Sequence, residues 1–255
     1  MELEAWVYLL LFLAALVAGL VDAIAGGGGL IALPALLTAG FPVPLALGTN
    51  KLQAFFGSAA AAAHYAKSGV IDWRSCRQGI VWTLIGALIG AWTVQRIDAS
   101  RLGVIIPWLL AAMLLYTIFK PELGREKQRP RLAPNLFWGV AGLGLGFYDG
   151  GFGPGTGSFW TIALVGLLGQ DFLAATGQTK VMNAASNLTA VLVFAAVGQI
   201  HWLAGGVMAV GQLLGARVGA GLVVKKGTRF IRPLFLTIVT LTIGRLAYIE
   251  LTRPW

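Results

Sequence analysis

Residues 19–29 read GLVDAIAGGGG, an aspartate followed by a glycine-rich break inside strongly apolar sequence. Residues 146–157, GFYDGGFGPGTG, repeat this arrangement in the second half of the chain. Each copy is followed by a polar patch that ends in lysine, LGTNK at 47–51 and TGQTK at 176–180. The recurrence predicts that the chain is built from two copies of one unit.

The composition is typical of an integral membrane protein. Apolar residues make up 57% of the chain and charged residues 11%, with a mean hydropathy of +0.79, whereas a soluble domain carries about 25% charged residues. Because lipid offers the backbone no hydrogen-bond partners and no alternating strand pattern is present, we expect helices to cross the membrane. The apolar stretches that are long enough for this, or almost so, lie near 6–24, 50–66, 78–95, 102–119, 172–197, 203–223 and 230–250.

The predicted fold is all-α, with two inverted repeats, broken or re-entrant helices and about eight transmembrane helices among up to about ten hydrophobic pieces. A constant shift of 129 residues aligns the halves, pairing Lys51 with Lys180 and Gly86 with Gly215. The predicted units are a first transmembrane repeat at 1–119, a basic linker at 120–134 and a second repeat at 135–255.

Basic residues in the loops set the orientation, and they place the linker in the cytoplasm. An odd number of hydrophobic pieces in each half inverts the second copy, so the two glycine breaks enter from opposite faces. The short pieces at 30–39 and 155–168 could span the membrane or re-enter it, and re-entry weakens the parity argument. The acidic start of the chain differs from the basic start of a cleavable signal, so we expect stretch 6–24 to be retained.

The glycine breaks predict two exposed helix N-termini, after Gly29 and after Gly157. Such ends in inverted repeats offer unpaired N–H groups and a positive dipole end at mid-membrane, and two converging ends favour an anion. The alternative is that the glycines only allow tight helix packing. The glycine pairs at four-residue spacing, such as Gly86 and Gly90, are also expected to bring helices close together.

Lys51 and Lys180 lie well inside apolar sequence, where a bare charge is costly and marks a pathway or a partner. Asp22 and Asp149 are the expected partners. In the functional interpretation the lysines help to hold an anionic substrate, while an aspartate pairs with them or carries a coupling proton. Two structural salt bridges, or lysines that snorkel to an interface, are the alternatives.

The residues predicted to bind substrate belong to the two breaks and the two polar patches. They are Asp22, Gly26, Gly27, Gly28, Gly29, Thr49, Asn50, Lys51, Gln53, Asp149, Gly153, Gly155, Gly157, Thr179, Lys180, Asn183 and Asn187.

No catalytic, metal or cofactor site is predicted. A single cysteine, Cys76, excludes a multi-cysteine metal site, and His64 and His201 have no second ligand at metal-binding spacing. The run at 151–155 lacks the spacing of a nucleotide-binding loop. We therefore expect a protein that is not an enzyme, since no catalytic carboxylate pair or nucleophile constellation is present.

The two breaks and the two polar patches together resemble the TauE/SafE family of membrane transporters, the sulfite and organosulfonate exporters. The resemblance covers almost the whole chain, both repeats included. It implies a multi-pass protein of the bacterial inner membrane that moves small sulfur-containing anions outward, coupled to an ion gradient.

The leading hypothesis from the sequence is a secondary transporter that exports sulfite or an organosulfonate by alternating access between the repeats. An anion channel, a non-transporting structural subunit and an intramembrane enzyme are the alternatives. The expected partners are the small anion, the lipid bilayer and a coupling proton or other ion, with no nucleic acid. The oligomeric state stays open, a homodimer being one alternative.

Overall fold

The computed structural model describes residues 3–98 and 129–226. These residues form eight α-helices and no strand, which confirms the predicted all-α class. The helices are α1 (Ala5–Ala25), α2 (Gly29–Thr38), α3 (Val43–Lys67), α4 (Trp73–Val94), α5 (Pro134–Gly151), α6 (Thr156–Leu168), α7 (Phe172–Ala196) and α8 (Trp202–Lys226). The predicted helices at 102–119 and 230–250, and linker residues 120–128, lie outside the described residues.

Helix ends follow the local chemistry of the sequence. Pro42 and Pro44 frame the start of α3, where a missing N–H costs no helical hydrogen bond. The helix therefore begins at Val43, seven residues before the apolar stretch at 50–66, and contains the whole polar patch. The side chain of Asp72 caps α4, and that of Asp171 caps α7.

The two short apolar pieces are separate helices. α2 has 10 residues and α6 has 13, which correspond to lengths of about 15 and 20 Å at 1.5 Å per residue. Neither length reaches across a hydrocarbon core of about 30 Å. Both helices follow a glycine break, as the sequence predicts.

Of the described helices, α1 and α8 are both long and apolar enough to cross a membrane. α3 and α7 have the length, at 25 residues each, but the polar patches lower their apolar content. The predicted count of about eight transmembrane helices thus stays a prediction.

Large apolar side chains cover the outside of the described residues, and charged side chains lie inside. Trp6 and Leu9 of α1 and Trp92 of α4 are more than half exposed, whereas Lys51 and Lys180 are buried. Soluble proteins bury lysine rarely and expose few contiguous apolar patches. The outer surface is therefore suited to lipid.

The most extensive helix contacts in the described residues join α1 to α8 and α4 to α5. Glycines bring these backbones together, because a methyl group at Gly215 would overlap the carbonyl of Leu16 and one at Gly86 would overlap the carbonyl of Leu143. The close packing predicted for the glycine pairs is confirmed, and it occurs within one chain.

α3 and α7 pack against each other in the middle of the bundle. α3 also contacts α8, and α7 also contacts α4 and α6. The buried faces of these two helices carry the polar patches, including Asn50 and Lys51 on α3 and Thr179 and Lys180 on α7. The fold thereby brings both patches to the centre of the molecule.

Candidate functional site

Two buried ion pairs join the halves of the chain. Nζ of Lys51 lies 2.9 Å from Oδ1 of Asp149, and Nζ of Lys180 lies 2.9 Å from Oδ2 of Asp22. Each lysine therefore pairs with the aspartate of the other half. The sequence predicts these four residues as partners, and the structure adds that the pairing is exchanged between the halves.

The ammonium group of Lys51 is fully hydrogen-bonded. It donates to the carboxylate and the backbone carbonyl of Asp149 and to Oδ1 of Asn187, the last at 3.2 Å. These three acceptors match the three donors of a lysine. Ser186 donates to the other carboxylate oxygen of Asp149. A buried charge pair of this kind is stable because every donor and acceptor has a partner.

Asp22 organises the glycine break that follows it. Its backbone carbonyl accepts the N–H of Gly26 at 2.8 Å, and its Oδ1 accepts the N–H of Gly28 at 3.3 Å. Gly26 has a φ of +76°, a left-handed conformation that glycine adopts without steric cost. The aspartate thus fixes both the turn and Lys180.

The two glycine breaks touch each other. A methyl group at Gly26 would overlap the backbone of Gly157, and one at Gly29 would meet Pro154 at 3.0 Å. The hydroxyl of Ser158 donates to the carbonyl of Ala25 at 2.8 Å. The first turns of α2 and α6 therefore meet beside the ion pairs, in agreement with the expectation of converging helix ends.

A cavity of about 20 Å³ lies at this junction. It is lined by Asp22, Gly26, Gly29, Asn50, Lys51, Ala54, Asp149, Gly153, Gly157, Asn183, Asn187 and Gln212. All of these except Ala54 and Gln212 are among the residues that the sequence predicts for the site. A volume of this size has room for about one water molecule.

Several predicted site residues hold helices together and do not line the cavity. The hydroxyls of Thr179 and Thr161 are 3.1 Å apart, and Thr49 accepts the backbone N–H of His201 at 3.0 Å. Gln53 donates to Asn50 at 2.8 Å. The remaining predicted residues outside the lining are Gly27, Gly28, Gly155 and Lys180.

Gln212 is the polar lining residue that sequence reasoning missed. It lies in the middle of α8, is 1% exposed, and stands among alanine, glycine, valine and leucine. The signal available in the sequence is a lone amide in an apolar helix, which membrane helices retain for contacts with a partner or a pathway. The search for residues that recur in both halves passed over it, because its counterpart is Thr83.

The charges of the site cancel, since two lysines face two aspartates. The arrangement can exchange partners, because an anion near Lys51 competes with Asp149 for the same ammonium group. Within residues 3–98 and 129–226, no group of three or more histidine, cysteine, aspartate or glutamate side chains is placed to hold a metal ion.

Comparison with known proteins agrees with a membrane transporter. A family model described as "Sulfite exporter TauE/SafE" matches residues 11–246. A "Probable membrane transporter protein" of Haemophilus influenzae is 41% identical over 239 residues, covering 94% of this chain and 94% of that protein. "Probable membrane transporter protein YfcA" of Escherichia coli is 41% identical over 238 residues, covering 93% of this chain and 88% of that protein.

A third relative, "Probable membrane transporter protein ORF9" of Sinorhizobium sp, is 41% identical over 244 residues, covering 96% of this chain and 93% of that protein. All three relatives are named as transporters, which agrees with the expectation that the chain is not an enzyme. No solved structure matches the chain significantly.

Proposed function

The chain belongs to the TauE/SafE sulfite exporter family of membrane transporters, and we propose that it is a secondary transporter of a small anion. Sulfite or an organosulfonate is the first candidate substrate, and outward movement across the bacterial inner membrane is the proposed direction. The observation that carries the proposal is the buried Lys51, which shares one cavity with both glycine breaks.

The chemistry of the cavity suits an anion. Lys51 supplies a positive charge, and Gly29 and Gly157 belong to the first turns of α2 and α6. The first N–H groups of a helix have no acceptor within the helix and point towards the positive end of its dipole. A small oxyanion bound there would accept hydrogen bonds from backbone and side chain together.

The helix contacts support two inverted repeats. α1 packs on α8, and α4 packs on α5, so the first helix of each half lies against the last described helix of the other. The contacts correspond in detail: Gly215 meets the carbonyl of Leu16, and Gly86 meets the carbonyl of Leu143. Rocking of one repeat against the other around a central site is how such folds give alternating access.

The cavity is closed around the site in this conformation. Its volume of about 20 Å³ has room for about one water molecule, whereas sulfite has four heavy atoms. Substrate binding therefore requires the walls to separate. The contact of Gly26 with Gly157 joins the two repeats at this point and is where we expect the separation.

A proton is the proposed coupling ion. One anion added to the balanced charges leaves a net negative charge in a buried site, which costs free energy. Protonation of Asp149 removes this charge and frees Lys51 for the anion. The neutral carboxyl keeps its hydrogen bond with Ser186, so the exchange leaves few groups without a partner.

A counterflow experiment tests the proposal. Liposomes that contain the purified protein are loaded with unlabelled sulfite and diluted into a trace of labelled sulfite, and the label inside is followed over time. A carrier gives a transient accumulation of label above the outside concentration, whereas a channel gives none. If folded protein moves neither sulfite nor any of a panel of sulfonates, the assignment to sulfur anions is wrong.

A further inference from the structure

The amides around the cavity are distributed unequally between the two halves. Asn50, Asn183, Asn187 and Gln212 all line it. Under the shift of 129 residues that aligns the halves, their counterparts are Thr179, Ala54, Ser58 and Thr83. None of these counterparts is an amide, so the four amides meet on one side of an otherwise similar pair of repeats.

The two lysines show the same inequality. Lys51 lines the cavity with the amides, whereas Lys180 does not. Lys180 is 0% exposed and donates to Asp22, which fixes the first glycine break. The cavity therefore lies off the axis that relates the halves, on the side of Lys51.

Gln212 is placed to complete this off-axis cavity. Its backbone carbonyl packs against Gly19 of α1, and its side chain packs against Gly57 of α3, where a methyl group would overlap it. Oε1 of Gln212 has no hydrogen-bond partner among the described residues, and neither has Oδ1 of Asn183. Both side chains are at least 95% buried. Native structures rarely leave such atoms unpaired, so they point to a polar occupant of the cavity.

We propose that Gln212 binds the transported anion directly, in a single off-axis site formed with Lys51 and the three asparagines. This inference rests on the proposed function, and it adds a ligand residue and a stoichiometry of one anion per chain. A terminal amide has two N–H donors and one acceptor oxygen. Several amides around one lysine suit an oxyanion, whose oxygens accept separate hydrogen bonds, better than a spherical halide.

The test compares Gln212→Met with Thr83→Val, its counterpart in the other half. Thr83 is equally buried, contacts Sδ of Met182 and does not line the cavity. Binding of sulfite, methanesulfonate and chloride to the purified full chain is measured by titration calorimetry, and unfolding is measured without anion. Loss of a hydrogen bond to a charged ligand weakens binding by about tenfold.

We expect Gln212→Met to bind sulfite and methanesulfonate about tenfold more weakly than the wild type, with unfolding unchanged, because methionine removes an unpaired buried atom. Gln212→Glu should bind still more weakly, since it adds a negative charge of similar shape. Thr83→Val should bind both anions as the wild type does. Chloride should bind more weakly than either oxyanion and should be least affected by Gln212→Met.

Equal anion affinity in Gln212→Met and the wild type would overturn the inference and leave the proposed function intact. So would two anions bound per chain, or a loss of stability that accounts for the loss of binding. If the folded wild type binds none of the three anions, the proposed function is wrong and the inference is wrong with it.

Discussion

Lys51 is held inside the protein by three acceptors, two of them on Asp149. A buried ion pair of this kind contributes little net stability compared with apolar residues, but breaking it leaves an uncompensated charge. The pair is therefore suited to a group that exchanges one partner for another. The neutral hydroxyl of Ser186 stabilises the aspartate without a second positive charge.

Removal of Lys51 alone should destabilise the protein. In Lys51→Met the carboxylate of Asp149 keeps its charge without a partner, and we expect a loss of about 3–5 kcal/mol in the free energy of unfolding. The double variant Lys51→Met with Asp149→Asn removes both charges and should recover most of that loss. Thermal or denaturant unfolding in detergent measures both. Equal stability of the single and double variants would mean that the pair is not charged.

Proton uptake at Asp149 predicts a pH-dependent affinity. If one proton binds with each anion, the dissociation constant rises by up to about tenfold per pH unit while Asp149 is charged in the free protein. Methanesulfonate is a suitable probe because it does not titrate near neutral pH. Lys51, Lys180 and Asp22 are the other charged groups at the site, and all remain in Asp149→Asn.

In Asp149→Asn we expect the affinity for methanesulfonate to be independent of pH, because the asparagine mimics the protonated aspartate. Asp171→Asn, which changes the cap of α7 away from the cavity, is the control and should keep the wild-type pH dependence. A pH slope that persists in Asp149→Asn would assign the coupling proton to another group.

Single residues of the site differ in how far the sequence could predict them. Lys51 and Asp149 were predictable because a charge inside apolar sequence needs a partner. The exchange of partners between the halves was not, since it depends on how α3 and α7 pack. The same is true of Thr179 and Lys180, which face neighbouring helices although they belong to a predicted patch.

At the scale of elements, the glycine breaks determine where the cavity forms. Gly26 ends α1 with a left-handed turn, and Gly155 begins α6 with another. Because each break stops a helix near its neighbour, two helix ends and two ion pairs meet in a small volume. Continuous helices would bury the same polar side chains without the exposed N–H groups.

Gly26→Ala should be more damaging than a change at a comparable turn. Gly69 ends the α3 region with a φ of +70° and has open space around its Cα, whereas Gly26 has a φ of +76° and contacts Gly157. Alanine at Gly69 should cost about 1–2 kcal/mol, the cost of the left-handed conformation. At Gly26 the same strain adds to the overlap.

Unfolding and sulfite uptake of Gly26→Ala and Gly69→Ala provide the measurement. We expect uptake to be lost in Gly26→Ala and retained in Gly69→Ala. If the two variants have similar stability and similar uptake, the contact between the breaks has no part in transport.

The boundaries of elements show what the sequence can and cannot predict. The short helices α2 and α6 were predictable because glycine and proline interrupt apolar runs of limited length. The start of α3 at Val43 was not, because hydropathy alone dates the helix from its apolar turns and misses the polar turns before them. Gln212 was missed for a related reason, since a single amide scarcely changes the apolar character of α8.

At the scale of the whole molecule, the recurring contacts indicate that one packing scheme is used twice. α1 on α8 and α4 on α5 are the two large contacts, and both depend on closely packed glycines. The sequence predicted the duplication from the shift of 129 residues. It did not predict that helices would pack across the halves, because the register of one repeat says nothing of its partner.

The inverted arrangement predicts opposite accessibility at matched positions. Ser68 and Val197 cap the ends of α3 and α7, are exposed, and correspond under the shift. In a background with Cys76→Ser, we expect Ser68→Cys to react with a membrane-impermeant thiol reagent from the cytoplasmic side only. Val197→Cys should react from the other side only. Reaction of both from one side would contradict the inverted repeats.

The most direct test of an anion carrier built around Lys51 is the uptake of labelled sulfite into liposomes under an imposed pH gradient. The wild type should show saturable uptake that the gradient drives and that unlabelled sulfonates inhibit. The double variant Lys51→Met with Asp149→Asn, folded but without the central lysine, should show none. Gradient-driven uptake by this double variant at the wild-type rate would contradict the account.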